Sequence, residues 1–231
     1  MDKKQKSFFL PGNSENIKEE KPEWPVIDYP SPTHCGRESF EKLNQSKFDS
    51  VIGYSFDFEG GYTNRKEDRE TNYGITEPFL ENYKYALAGG VSKPVSELTK
   101  DDARLLYKAQ WDRYRLGYIR DKEVALLLND YMINSNAKKV AERVQDILNS
   151  NGANLKVDGL FGEQTLSAID NADKGWLVEQ ILMDRLKRYQ FTLDREPYKK
   201  IFIPGWIGRL NKLTEYSKAK IRFQKTDLKV K

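Results

Sequence analysis

Glu59 is the residue whose type and setting most suggest chemistry. It shares a helical stripe with Phe48, Val51, Ile52, Ser55 and Phe56, at the i, i+3, i+4 spacing that turns one face toward a core. Its carboxyl is thus expected at the rim of an apolar face, at the end of a helix, before Gly60-Gly61. Lost hydration and the negative helix end both favour the protonated form. A carboxylic acid that keeps its proton near neutral pH can protonate the leaving oxygen of a glycoside. The bland alternative is a glutamate that reaches water or pairs with an arginine. Asp68 lies nine residues on, with Thr76 beyond it. They supply a candidate second carboxylate and a candidate hydroxyl to position water.

Other chemistries are short of side chains. The chain has one cysteine, Cys35, and one histidine, His34. No intramolecular disulfide is possible, and a zinc site with two or three histidines cannot be built. Adjacent in sequence, the two diverge and make a poor nucleophilic dyad. No metal site and no organic cofactor is expected.

The elements that must hold Glu59 read as almost entirely helical. A first helix is expected from Lys47 to Glu59, with Ser46 as N-cap. A short irregular or β-like stretch runs to Thr76, and Pro78 suits the first turn of a second helix. Thr99 with Asp102 opens a third, with Ala103, Leu106, Tyr107, Trp111 and Tyr114 at helical spacing. Two more carry Val124–Met132 and Val140–Leu148. After a glycine-bearing turn at 157–162 come helices through Tyr189 and a last one near Trp206.

Read whole, the strings are more specific than the spacing. Phage-type lysozymes order a Glu, an Asp and a Thr similarly, also with nine residues between the first two. Phe58-Glu59-Gly60-Gly61-Tyr62-Thr63-Asn64 and Thr71-Asn72-Tyr73-Gly74-Ile75-Thr76 resemble glycoside hydrolase family 108, the Glu-Gly-Gly-Tyr N-acetylmuramidases. Leu126–Asn134, Val157-Asp158-Gly159-Leu160-Phe161-Gly162 with Thr165, Asp184–Tyr189 and Gly205–Arg209 are similar to that family's later motifs. The Asp158 motif resembles a small helical peptidoglycan-binding domain. The resemblance spans roughly residues 48–213. It departs after Asn64, where the loop is two residues shorter and lacks the family's Pro and Gly-Gly. Asp68 meets the family's Asp when the gap falls after it.

The resemblance implies a mainly α, lysozyme-like helical domain with a small β-hairpin or irregular lobe beside the catalytic Glu, then a helical peptidoglycan-binding-like region. It implies cleavage of the β-1,4 bond after N-acetylmuramic acid, with Glu59 as general acid. Tyr62, Asn64, Tyr73, Asp130 and Asn134 become candidate substrate-binding residues. Each has a plainer alternative: the tyrosines as core, Asp130 and Asn134 as a polar patch, Thr76 as a helix cap. Asp158, Gly159, Gly162 and Thr165 read as turn-shaping, and Trp206 as core.

Organisation and charge complete the expectations. Five of nine prolines fall in residues 1–44, read as an arm or linker and a possible docking segment for a protein partner. Residues 45–136 read as the muramidase domain, 137–213 as the peptidoglycan-binding-like region and 214–231 as a basic tail. Arg209–Lys231 holds eight basic and two acidic residues, suggesting a solvated, frayed end or an attraction to anionic polymers. The whole chain of 231 residues carries +4, with a mean hydropathy of −0.77. A mild positive excess suits peptidoglycan strands better than nucleic acid. A monomer is expected. No stretch reaches transmembrane length, and the start lacks the apolar run of a secretory signal. Synthesis in the cytoplasm is then followed by release through a holin or a secretion system, for action in the periplasm or wall as an endolysin, a wall-remodelling enzyme or a secreted effector. The rival functions are a non-catalytic wall-binding module and a phage or secretion assembly protein.

Overall fold

The computed structural model describes residues 37–56, 62–63, 70–87 and 93–229. These all belong to one compact unit, Ser31–Lys231. The arm before residue 37, Glu59, Asn64 and Asp68 lie outside the described residues.

Eight α-helices and one hairpin, joined by short 3-10 turns, make up the described architecture: α1 (Arg37–Phe56), β1 (Thr71–Asn72), β2 (Ile75–Thr76), α2 (Glu77–Tyr83), α3 (Lys100–Arg113), α4 (Lys122–Ile133), α5 (Ala137–Ser150), α6 (Glu163–Asn171), α7 (Lys174–Arg195) and α8 (Ile203–Ser217). The mainly α expectation holds, with a small antiparallel lobe. Helix α4 is the axis of the packing. Every residue from Val124 to Ile133 is buried, and α1, α5, α7 and α8 all pack on it. A helix that is apolar nearly all round has no solvent face to offer, so it takes the centre.

The helix starts have identifiable causes. Thr99 and Asp102 form a reciprocal capping box on α3. Asp121 accepts from the amides of Glu123 and Val124 at 2.9 and 3.0 Å. Asn136 and Asp173 cap α5 and α7 in the same way. Helix α1, in contrast, starts ten residues before the expected Lys47, so Ser46 sits inside it rather than capping it. Residues assigned to the arm join the body: Asn44 accepts from the Trp111 indole at 2.8 Å, and Phe40 packs against Tyr118 at 4.6 Å.

The C-terminal end also differs from expectation. After α8 the chain folds back instead of fraying. Phe223 and Leu228 are buried, Asn211 bonds Phe223 through both its amide atoms, and Gln190 bonds Lys229 likewise. The apolar side chains anchor the segment and leave Lys220, Arg222 and Lys225 exposed.

The turn at 157–162 is built around Gln145, a buried residue of α5. Its oxygen accepts from the amides of Asp158 and Gly159 at 3.1 and 2.8 Å. Its nitrogen donates to Asp158 at 3.0 Å and to the Leu160 carbonyl at 2.9 Å. The shaping role expected of this motif is what the structure contains, although the N-cap of α6 is Gly162, with no side-chain cap bond. Gly159 has φ +75°, and a Cβ there would lie 3.0 Å from the Lys138 carbonyl oxygen and 2.6 Å from Lys138 Cγ. Gly159→Ala is expected to destabilise the protein by roughly 1–3 kcal/mol, read as a drop in melting temperature without loss of helical circular dichroism.

Candidate active site

Helix α1 delivers its stripe inward as the spacing predicts. Phe48, Val51 and Ser55 are fully buried and Ile52 nearly so. Ser55 sits in the last described turn, four residues before Glu59 in the sequence. Its hydroxyl donates to the Val51 carbonyl at 3.4 Å and lies 3.5 Å from the Asn129 amide nitrogen on α4. The Asn129 side-chain oxygen is buried and has no hydrogen-bond partner among the described residues. A buried polar pair therefore underlies the end of α1. The sequence offered no sign of it, because a Ser and an Asn 74 positions apart share no spacing rule.

The hairpin stands beside this helix end. Tyr73 and Gly74 both have positive φ, 51° and 77°, as a two-residue type I′ turn requires. That turn pairs Thr71 with Thr76 and Asn72 with Ile75. Thr63 bridges Thr71 from the other side. Directly opposed residues share a face, so Thr63, Thr71 and Thr76 form a row of three hydroxyls. The Thr63 and Thr71 oxygens are 3.0 Å apart. Thr76 precedes α2, but its side chain makes no cap bond to that helix. The sequence reading singled out Thr76 alone; the Tyr73-Gly74 turn was the signal that would have added Thr71.

The lobe is tied to the body from beneath. The buried Asn72 donates to the carbonyls of Val95 and Leu98 at 3.2 and 2.9 Å, and the Tyr107 hydroxyl donates to the Tyr73 carbonyl at 2.7 Å. The half-buried Tyr73 ring meets Phe56 edge-on at 6.5 Å, joining an aromatic run through Tyr107 and Phe79. Tyr62 is 49% exposed, next to the threonine row. It is the more available of the two for stacking on a sugar.

Asp130 does not take the substrate-binding place expected of it. It is fully buried in α4, and no face of it is open to a ligand. Arg209 of α8 grips it through Nε at 3.1 Å to both oxygens and Nη2 at 2.7 Å to one, while Arg185 of α7 donates through Nη1. Burial alone would raise the carboxyl's pKa. The two guanidinium charges outweigh it and hold Asp130 below the usual carboxylate value. Arg185 is fully buried too. Its Nε donates to the Tyr189 hydroxyl at 2.9 Å, and its guanidinium lies over the Tyr131 ring at 5.4 Å. The group is an ionic hub joining three helices. Asn134 is exposed at the end of α4 and donates to the Asp130 backbone carbonyl at 2.8 Å, which makes it a helix terminator. The two do not form a shared polar face. Trp206 is half-buried and stacks on Tyr189 at 4.7 Å.

Residues 52–135 match the family model described as glycosyl hydrolase 108, and residues 140–211 match the one described as a predicted peptidoglycan domain. The first match holds α1's inward stripe from Ile52, the hairpin and α4; the second holds the Gln145-centred turn and the helices that grip Asp130. A search of curated proteins finds no match. Among solved structures, that of Brucella abortus SagA superposes with a TM-score of 0.61 at 23% identity, covering 75% of this chain and 94% of that one. That likeness extends to the fold.

Proposed function

We propose that this chain, a glycoside hydrolase acting on peptidoglycan with a glycosyl hydrolase 108 part and a peptidoglycan domain behind it, is an N-acetylmuramidase. The observation that carries the reading is the Glu59-Gly60-Gly61-Tyr62 string, following an α1 stripe that is buried through Ser55. Glu59 donates its proton to the glycosidic oxygen as the bond to C1 breaks. The positive charge that develops at C1 and the ring oxygen is stabilised by a second carboxylate, assigned to Asp68. Asp130 is taken up by its arginines and is not available for that task. Water then completes the hydrolysis at C1, its hydroxyl going to carbon and its proton to a carboxylate. Thr76, in the row with Thr63 and Thr71, is the hydroxyl assigned to hold that water.

Tyr62 and Asn64 are assigned to the sugar-binding surface. The enzyme is proposed to act as a monomer in the wall, reached through a holin or a secretion system. The segment before residue 37 is assigned to docking on a protein partner in that route.

Digestion of purified peptidoglycan followed by mass spectrometry of the fragments tests the bond. Muramic acid at the new reducing ends is the expected result. Glucosamine there would move the cleavage to the other glycosidic bond, and intact strands with the protein bound would replace the enzyme by a wall-binding module.

A further inference from the structure

The described residues contain a cleft of about 670 Å³ between the loop after α5 and the length of α6. It lies wholly within the part matched to the peptidoglycan domain, far along the chain from the Glu59 motif. Its volume is in the range of small-molecule sites.

The cleft has a built wall. Asn149 holds the loop by two bonds to one residue: its amide nitrogen donates to the Leu155 carbonyl at 2.9 Å, and its oxygen accepts from the Leu155 amide at 2.5 Å. The Gly152 and Ala153 amides donate back to Asn149 and Leu148 at 2.9 and 3.2 Å. Gly152 and Asn154 take up left-handed backbone, with φ 89° and 54°. The loop's backbone groups are thus used to fix its own shape, and the exposed side chains of Asn151 and Asn154 remain for a ligand. Gln164, Ser167 and Asn171 face them from α6, and Leu148, Leu155 and Ala168 supply the apolar lining.

The chemistry of that lining selects among the parts of peptidoglycan. Glu163 is the one ionisable group among the described residues that line it, and it is acidic. Stem peptides carry free carboxylates, and the lining offers no cation to receive one. Carboxamides and a hydroxyl are neutral donors and acceptors that match sugar hydroxyls and an acetamido group. The apolar side chains match the acetyl methyl and the C–H face of the ring. We propose that this cleft is a sugar-holding site and takes a neutral N-acetylhexosamine of the glycan strand, keeping the chain on its substrate between cuts. This rests on the peptidoglycan reading above.

The test uses the full chain carrying Glu59→Gln, isotope-labelled and titrated with chitotriose, a neutral trimer of N-acetylglucosamine. Saturable amide shifts at residues 151–155 and 163–172, including the side-chain amide signals of Asn151, Asn154 and Gln164, are expected. Ser167→Trp, on an exposed position of α6, fills the cleft and is expected to weaken that binding at least tenfold with unchanged circular dichroism. Asn151→Ala with Gln164→Ala is the milder second variant, expected to weaken it in the same direction. Shifts confined to residues 52–135, or cleft shifts produced by a stem peptide but not by chitotriose, overturn the inference. A parallel digest by the unsubstituted chain separates the two readings. Fragments with a silent cleft leave the hydrolase standing and sink the site, whereas cleft shifts without fragments support the site and sink the muramidase.

Discussion

Glu59→Gln is expected to lower peptidoglycan hydrolysis by about 10²–10⁴-fold, the range lost when a positioned general acid is removed. Glutamine keeps the shape and the hydrogen-bonding reach of glutamic acid but has no proton to give to the leaving oxygen. The substitution lies after the last buried position described on α1, so the stripe of Phe48, Val51, Ile52 and Ser55 stays intact. The melting temperature is therefore expected to stay within a few degrees of the parent. Retention on insoluble wall should also persist, since binding does not require proton transfer. A pH profile adds a readout that misfolding would not mimic. A reaction that needs a protonated general acid has an alkaline limb, and the residual activity of the variant should lack it. Activity within threefold of the parent would remove Glu59 as the acid and move attention to Asp68.

The second large effect concerns stability. Asp130→Ala is expected to cost about 3–5 kcal/mol, the usual consequence of leaving a buried charge without its partner. Total stabilities are roughly 5–15 kcal/mol, so denaturant unfolding should move to a much lower midpoint. The reason is asymmetric. Arg209 retains some exposure and can turn to water, but the Arg185 side chain is 2% exposed and its Nη2 has no hydrogen-bond partner among the described residues. Arg209→Ala should therefore cost less than Asp130→Ala, and the double variant less than the two added together. The pH dependence has a definite sign. A carboxyl held below its unfolded value of about 3.9 stabilises the fold above that pH, and the contribution falls away as pH drops through the lower folded value. Acid unfolding should be steeper for the parent than for Asp130→Ala, with the two curves running parallel between pH 5 and 8.

Local signals were legible wherever one element could be judged by its own residues. The capping pair Thr99 and Asp102, the apolar run of α4 and the turn chemistry of Asp158-Gly159 each state their structure within a few positions. The hydrophobic stripe of α1 was also correct through Ser55, since periodicity reports which face turns inward. The start of α1 was missed because the reasons for it are remote. Asn44 is wanted by Trp111, 67 positions away, and Phe40 by Tyr118. Charge alone leaves the tail either frayed or drawn to an anionic polymer, whereas Phe223 and Leu228 bury themselves against the body and fold it back.

Order and period along the chain were enough for a helical protein with a small β lobe and a first helix whose stripe turns inward through Ser55. The tertiary structure alone decided what each inward group meets. Asp130 and Asn134 share a helix face on paper, yet arginines 55 and 79 positions further on take the carboxylate into the core. Three threonines line up because a two-residue turn sets the register. A cleft of amides arises where the loop after α5 folds against α6. Periodicity fixes direction, but the partner waiting in that direction comes from a distant segment, and only packing brings the two together.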